Sequence, residues 1–247
     1  MNQKRFFQIL TIIFTVMVSS TVVFARPPWQ GKGFSGNMNN RSASNPASLA
    51  LSLPKESLSQ DETQALIKMR EEEKLARDVY KTLYNTWRLR IFDNIATSEQ
   101  RHMDAIKAML KKYNIPDPVT DDSVGMFSNA EMGNLYKTLT AKGNTSTVNA
   151  LLVGATIEDL DIFDLKECLK KTDNKDISLV FQNLMKGSRN HLRAFSRMLK
   201  SFGQTYNAQY LSQDEVNSII NSPMERGPAH NNQSNFPFRG KGRNRTW

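Results

Sequence analysis

The stretch SEQRHMDAI, Ser98 to Ile106, decides how this chain folds. Around it Phe92, Ile95, Ile106, Met109 and Tyr113 recur at steps of three and four, the spacing of an amphipathic helix with one buried face. The two positions that continue this apolar stripe are Glu99 and His102. A carboxylate left unpaired in a core costs several kcal/mol. A helix that aims both groups inward therefore needs partners for them elsewhere in the chain.

Working outward, the pattern is helical almost throughout, with no convincing alternation of period two. A first long helix is expected from the capping box Ser59-x-x-Glu62 to about Trp87. A second covers roughly Ile91 to Tyr113 and stops before Pro116 and Pro118. A long connection follows, carrying a short helix from the box Ser128-x-x-Glu131 to Gly143. The third long helix runs from about Thr145 to Thr172, the fourth from about Asp176 to Phe202, and a last short helix follows Ser212-x-x-Glu215. Two tight turns and one lengthwise crossing between the second and third helices specify an all-α four-helix bundle.

Each long helix offers one seam, apolar at its ends and polar near its middle. Glu73 interrupts the first, Glu99 and His102 the second, Glu158 and Asp161 the third, Ser188 and His191 the fourth. Antiparallel helices of similar length place their middles at one level, so these residues meet in one layer. Glu99 and His102, three apart, serve one site together, as do Glu158 and Asp161. Two divalent cations would cancel the charges of Glu73, Glu99, Glu158 and Asp161, with His102 and His191 neutral. Carboxylate and imidazole without thiolate favour iron, manganese or zinc. The competing reading is a metal-free layer tied up by Arg70, Arg77, Arg189 or Arg193. Glu71 and Glu72 read as a solvated helix face, and Tyr80, two turns beyond Glu73, as core filler ahead of a donor of a hydrogen bond or an electron. His230 lies off the layer.

On these residues the chain resembles known families. Glu73-x-x-x-Arg77-x-x-Tyr80 and Glu99-x-x-His102 resemble the corresponding helices of rubrerythrins and other ferritin-like di-iron proteins. REEEKLARDVY (from Arg70), SEQRHMDAI and GSRNHLRAF (from Gly187), with QYLS (from Gln209) after them, are more closely similar to a bacterial and archaeal ferritin-like family catalogued as a domain of unknown function. The similarity covers about Asp61 to Ile220. It implies a ferritin-like bundle with a di-iron site whose metal ligands are Glu73, Glu99, His102, Glu158, Asp161 and His191. One departure stands out: the di-iron pattern has Glu-x-x-His on two helices, and here the fourth helix reads Ser188-x-x-His191, leaving Asp161 to supply the missing carboxylate.

Export is expected from the N-terminus. Lys4 and Arg5, an apolar run from Phe6 to Phe24 and a small-residue site at Ala25 read as a cleavable signal over residues 1–25. An uncleaved anchor is the alternative. The single Cys168 forms no intramolecular disulfide, so the fold relies on its core or on metal. The chain carries a net charge of +9, yet residues 61–221 hold 22 basic and 22 acidic residues. The excess lies in the signal (+2) and in the flanks, residues 26–59 (+3) and 222–247 (+4), whose Pro, Gly and Asn content reads as disordered. The basic tail suits weak contact with anionic polymers and no specific nucleic acid.

Three functions follow as expectations. One is an exported, periplasmic or secreted, di-metal oxidoreductase acting on oxygen, peroxide or ferrous iron. The second is a metal-free structural protein of the cell envelope. The third is metal storage in a homo-oligomeric cage.

Overall fold

The computed structural model describes residues 46–227, which form seven α-helices. These are α1 (Pro46–Ser52), α2 (Gln60–Trp87), α3 (Arg90–Tyr113), α4 (Ala130–Gly143), α5 (Thr147–Leu169), α6 (Lys175–Ser201) and α7 (Gln213–Asn221). No strand occurs among the described residues, and none of these helices is long and apolar enough to cross a membrane. The signal segment, the start of the N-terminal flank and the tail beyond Gly227 lie outside the described residues.

Local chemistry sets the boundaries. Ser59 accepts from the Glu62 amide while Glu62 accepts from the Ser59 amide, the reciprocal box expected at the start of α2. Arg88 and Asn114 end α2 and α3 in the left-handed conformation, their amides donating to carbonyls of the last turn. The start of α4 differs from the expectation by one residue. Asn129, not Ser128, caps it by accepting from the Glu131 amide, and the Ser128 hydroxyl pairs with Thr120 in the preceding loop.

The four long helices share one core, and every neighbour is antiparallel. Arg77 of α2 reaches Gln100 of α3, and Tyr113 and Phe92 at the two ends of α3 meet Asp176 and Phe195 of α6. Tyr80 of α2 meets Gly154 and Glu158 of α5, while Lys68 meets Asp164 further along. Helices α3 and α5 therefore run the same way, and residues 114–146 carry the chain back along the bundle.

That crossover does more than connect. It lies along the back of α2, where Arg77 binds Asp122, Lys74 donates to the Ser123 carbonyl and the Gly125 amide donates to Asp78. With α3 and α5 on its other sides, every residue from Glu72 to Tyr80 is buried. The expected solvated face at Glu72 is thus corrected: its side chain is only 6 % exposed and pairs with Lys68.

The flanks are also more structured than expected where they are described. Within the supposed linker, Pro46–Ser52 is helical, Ala50 is in the core, and Lys112 donates to the carbonyls of Ala50 and Leu53. Asn174 holds the Ser57 carbonyl. After α7, Glu225 pairs with Arg189 and Arg193 of α6. Phe202, expected as the end of the fourth helix, is exposed, because α6 ends one residue before it.

Candidate metal centre

Glu73 from α2, Glu99 and His102 from α3, Glu158 and Asp161 from α5, and His191 from α6 all reach the middle of the bundle. Glu73, Glu99 and His102 bring one ligand atom each within 4.8 Å of one another, and so do Glu99, Glu158 and His191. Glu99 belongs to both groups. Its Oε2 lies 2.7 Å from His102 Nδ1 and its Oε1 lies 2.8 Å from His191 Nδ1. On the outer sides, His102 Nδ1 is 3.1 Å from Glu73 Oε2 and His191 Nδ1 is 3.4 Å from Glu158 Oε2. The two imidazoles stack with centroids 5.7 Å apart.

These short distances are not matched by hydrogen bonds. His102 pairs properly with Glu73, but both Glu99 oxygens, Glu158 Oε2, Asp161 Oδ2 and His191 Nδ1 are buried without a hydrogen-bond partner. Glu99 and His191 are close in distance, yet the ring N–H is not directed at the oxygen. Carboxylate and imidazole groups held this close in the core without directed hydrogen bonds form a donor set that could surround an ion.

Asp161 is buried beside these groups, without being a member of either triad. Ser188 is buried and turns its hydroxyl back to the Leu184 carbonyl. Next to it, Gly187 lets the His102 ring lie against α6: a Cβ there would stand 2.6 Å from its Cε1 and Nε2.

Electrostatics describe how the layer behaves without a cation. Burial pushes the Glu73 carboxyl up to about 8, with His102 working against the shift. Burial also raises Glu158, and raises Asp161 well above the carboxylate range with help from the Glu73 and Glu158 charges. Burial opposes the charge of Glu99 as well, but His191 and His102 on either side outweigh it and hold its pKa well below normal. Burial disfavours both imidazolium ions, yet Glu73 and Glu99 lift His102 well above its usual value. Glu99 and Glu158 lift His191 to about 10. Without a cation these shifts favour a charged Glu99 between protonated imidazoles, with the neutral acid favoured at Glu73 and Asp161. A cation would take the place of those protons.

The arginine alternative is not what the structure contains. Arg70 binds Asp117 and the Met103 carbonyl, and Arg77 binds Asp78, Gln100 and Asp122. Arg189 binds Glu225, and Arg193 binds Glu225, Ser222 and the Ile219 carbonyl. Among the described residues no lysine or arginine forms an ion pair with Glu73, Glu99, Glu158 or Asp161.

Tyr80 was expected as core filler, with donation of a hydrogen bond or an electron as the alternative. It does pack against Phe92 and Phe195, and its hydroxyl also donates to Glu158 Oε1 at 2.6 Å, orienting that carboxylate. Gly154 makes room for this arrangement, since a Cβ there would strike the Phe195 ring at 2.4 Å. The shared seam and two-turn spacing of Tyr80 and Glu73 were visible in sequence. The contact to Glu158, which comes from another helix, was not.

Comparison with known proteins places this chain in a family. It belongs to the family described as "Uncharacterized protein domain (DUF2202)", whose model matches residues 62–223. It is 62 % identical over 176 residues to uncharacterized protein MJ0754 of Methanocaldococcus jannaschii, spanning 71 % of this chain and 95 % of that relative. The crystal structure of hypothetical protein MJ0754 from Methanococcus jannaschii DSM 2661 superposes with a TM-score of 0.69 at 62 % identity, covering 70 % of this chain and 99 % of that one.

Proposed function

We propose that this chain is an exported ferritin-like protein that holds two divalent metal ions in its bundle core and acts as an oxidoreductase on oxygen, peroxide or ferrous iron. The observation that carries this reading is the Glu99 carboxylate. Each of its oxygens faces the Nδ1 of a different histidine without a hydrogen bond, and Glu73 and Glu158 flank the pair on opposite sides. Glu99, common to both groups, would serve both positions. Glu73 and His102 would complete one, Glu158 and His191 the other, with Asp161 as the additional carboxylate.

The donor set fits the group. Buried oxygen and imidazole ligands without thiolate match iron, manganese or zinc, and four carboxylates balance two divalent charges. Bound iron would supply the one-electron chemistry with oxygen or peroxide. The chain's own contribution is orientation and exclusion of water. Tyr80 fixes Glu158 by its hydrogen bond, Gly187 seats the His102 ring, and the apolar residues Phe92, Phe195, Ile106 and Met109 close the core around the layer. The single crossover between α3 and α5 supports the ferritin-like assignment, because bundles of that class have this connection.

The experiment is anaerobic titration of the metal-free protein with ferrous iron, followed by oxygen or peroxide. Saturation near two equivalents, then loss of ferrous iron faster than in protein-free buffer, is expected. A chain that takes up no metal would refute the site. A chain that binds two equivalents but leaves oxidation at the buffer rate would refute the oxidoreductase role alone.

A further inference from the structure

Glu72 was read as a solvated residue and is buried, with Oε2 unpartnered. Its surroundings form a polar line along the contact between α2 and α5. Lys171 and Asp61 pair at the outer end, at 3.2 Å, both substantially exposed. Further in, Lys68 Nζ lies 2.8 Å from Asp164 Oδ1 and 3.3 Å from Glu72 Oε1. The side chain of Lys68 is 27 % exposed, that of Asp164 9 % and that of Glu72 6 %, so access falls steadily along the line.

Beyond Glu72 comes Asp161, whose Oδ2 also has no partner and whose strongest electrostatic neighbours include Glu73, Glu158 and Glu72. Glu158, Asp161 and Asp164 follow one another at steps of three, so they share one face of α5. On α2, Glu72 stands beside Glu73. The contact between two core helices is thus lined with carboxylates where apolar side chains would pack better. Three of these carboxylates, Glu72, Asp161 and Glu158, are each more than nine-tenths buried and have an oxygen with no partner.

We infer that this line is the entry path for divalent cations, with Asp164 and Glu72 as the outer relay, Asp161 as the inner one and Lys68 as the resident cation that a metal must displace. The inference rests on the reading of the central layer as a metal site. A lysine ammonium between two carboxylates holds the path closed electrostatically when no metal is present, and its long stem can swing outward while remaining attached to solvent. Once Lys68 has swung aside, the carboxylates Asp164, Glu72 and Asp161 line the inner path with one sign of charge, an arrangement that speeds cation arrival by about ten- to a thousandfold.

The test uses metal-free full-length mature protein mixed rapidly with Co²⁺ under argon, following the visible absorption of the bound ion to its end point. Asp164→Asn should slow loading by about tenfold, at the low end of that range, while the final stoichiometry matches the parent. Glu72→Gln should do the same, and helicity by circular dichroism identifies any variant that fails to fold. Lys68→Met should load faster than the parent. Parental rates in both carboxylate variants would overturn the path and leave the metal site intact. A loss of stoichiometry in Asp164→Asn would make Asp164 a ligand and also overturn the path. A parent that takes up no Co²⁺ would remove both the path and the reading on which it rests.

Discussion

Replacing Gly187 by alanine separates metal affinity from fold stability. The new methyl would stand 2.6 Å from Cε1 and Nε2 of the His102 ring, whereas ordinary contact begins near 3.4 Å. The ring or α6 must therefore move by roughly 0.8 Å, several times the roughly 0.2 Å tolerance of a metal–ligand distance. Two opposing terms act on the metal-free fold. Alanine gains about 1 kcal/mol over glycine in a helix interior, and crowding the core costs about 1–3 kcal/mol. The metal-free protein should lose at most about 2 kcal/mol. Metal affinity should fall by about 10- to 100-fold, as when a ligand's support is disturbed. Competition against a chelator of known affinity measures the second effect, and melting of the stripped protein the first. Gly154→Ala is the comparison, because the atoms nearest its methyl all belong to the Phe195 ring, at 2.4 Å, rather than to a ligand side chain. It should lower stability without comparable loss of affinity. Parental affinity in Gly187→Ala would refute the placing of His102 in the site.

Other outcomes can be stated briefly. The fully buried Asp159 accepts from the Tyr206 hydroxyl and from the amides of Gln209, Tyr210 and Leu211, so Asp159→Ala strands these donors. At about 1–3 kcal/mol per stranded group, less what water recovers, a loss of about 3–5 kcal/mol in denaturant unfolding is expected, and a loss below 1 kcal/mol would contradict that anchoring. A chain starting at Gln60 should be less stable than one starting at Ser44, by about 1 kcal/mol for the Ser59 cap and more for buried Ala50 and the Lys112 contacts; equal melting would contradict the packing of α1. In the metal-free protein Glu73 is raised to about 8, so the stability it contributes is complete below pH 4.5 and is lost as pH rises through 8. His191, raised to about 10, loses its contribution between about 6.5 and 10. Stripped protein should therefore melt lower at pH 9 than at pH 6, and metal binding at pH 7 should release protons, measurable by calorimetry in buffers of different ionisation enthalpy; binding without proton release would contradict the protonated layer.

Sequence periodicity revealed the layer because each helix, taken alone, shows an apolar stripe broken by a group that does not belong there. Glu99 and His102 are the clearest case, since the residues on either side of them fix the stripe. The capping signals at Ser59 and Ser212 were legible for the same reason: they are local. What escaped notice depends on contacts between distant segments. Glu72 lies off the seam of α2, and it is buried where α2 meets α5, beside Lys68 and Asp164. Lys74, Arg77 and Asp78 resemble a solvated charged face until residues 122–125 are laid against them. Asp159 gave no signal at all, because the amides that it binds belong to a loop after α6. The departure at Ser188 was visible in sequence, and the structure adds that the neighbouring Gly187 gives its space to His102.

The most direct measurement is the metal content of the mature protein recovered from the exported fraction of its own cells, beside that of Glu99→Gln prepared in the same way. Glu99 is the carboxylate shared by both triads, and glutamine keeps its size while removing the charge. The parent should carry close to two equivalents of iron, manganese or zinc per chain, and the variant well under one. A parent without metal, or equal metal in parent and variant, would contradict a centre built on Glu99.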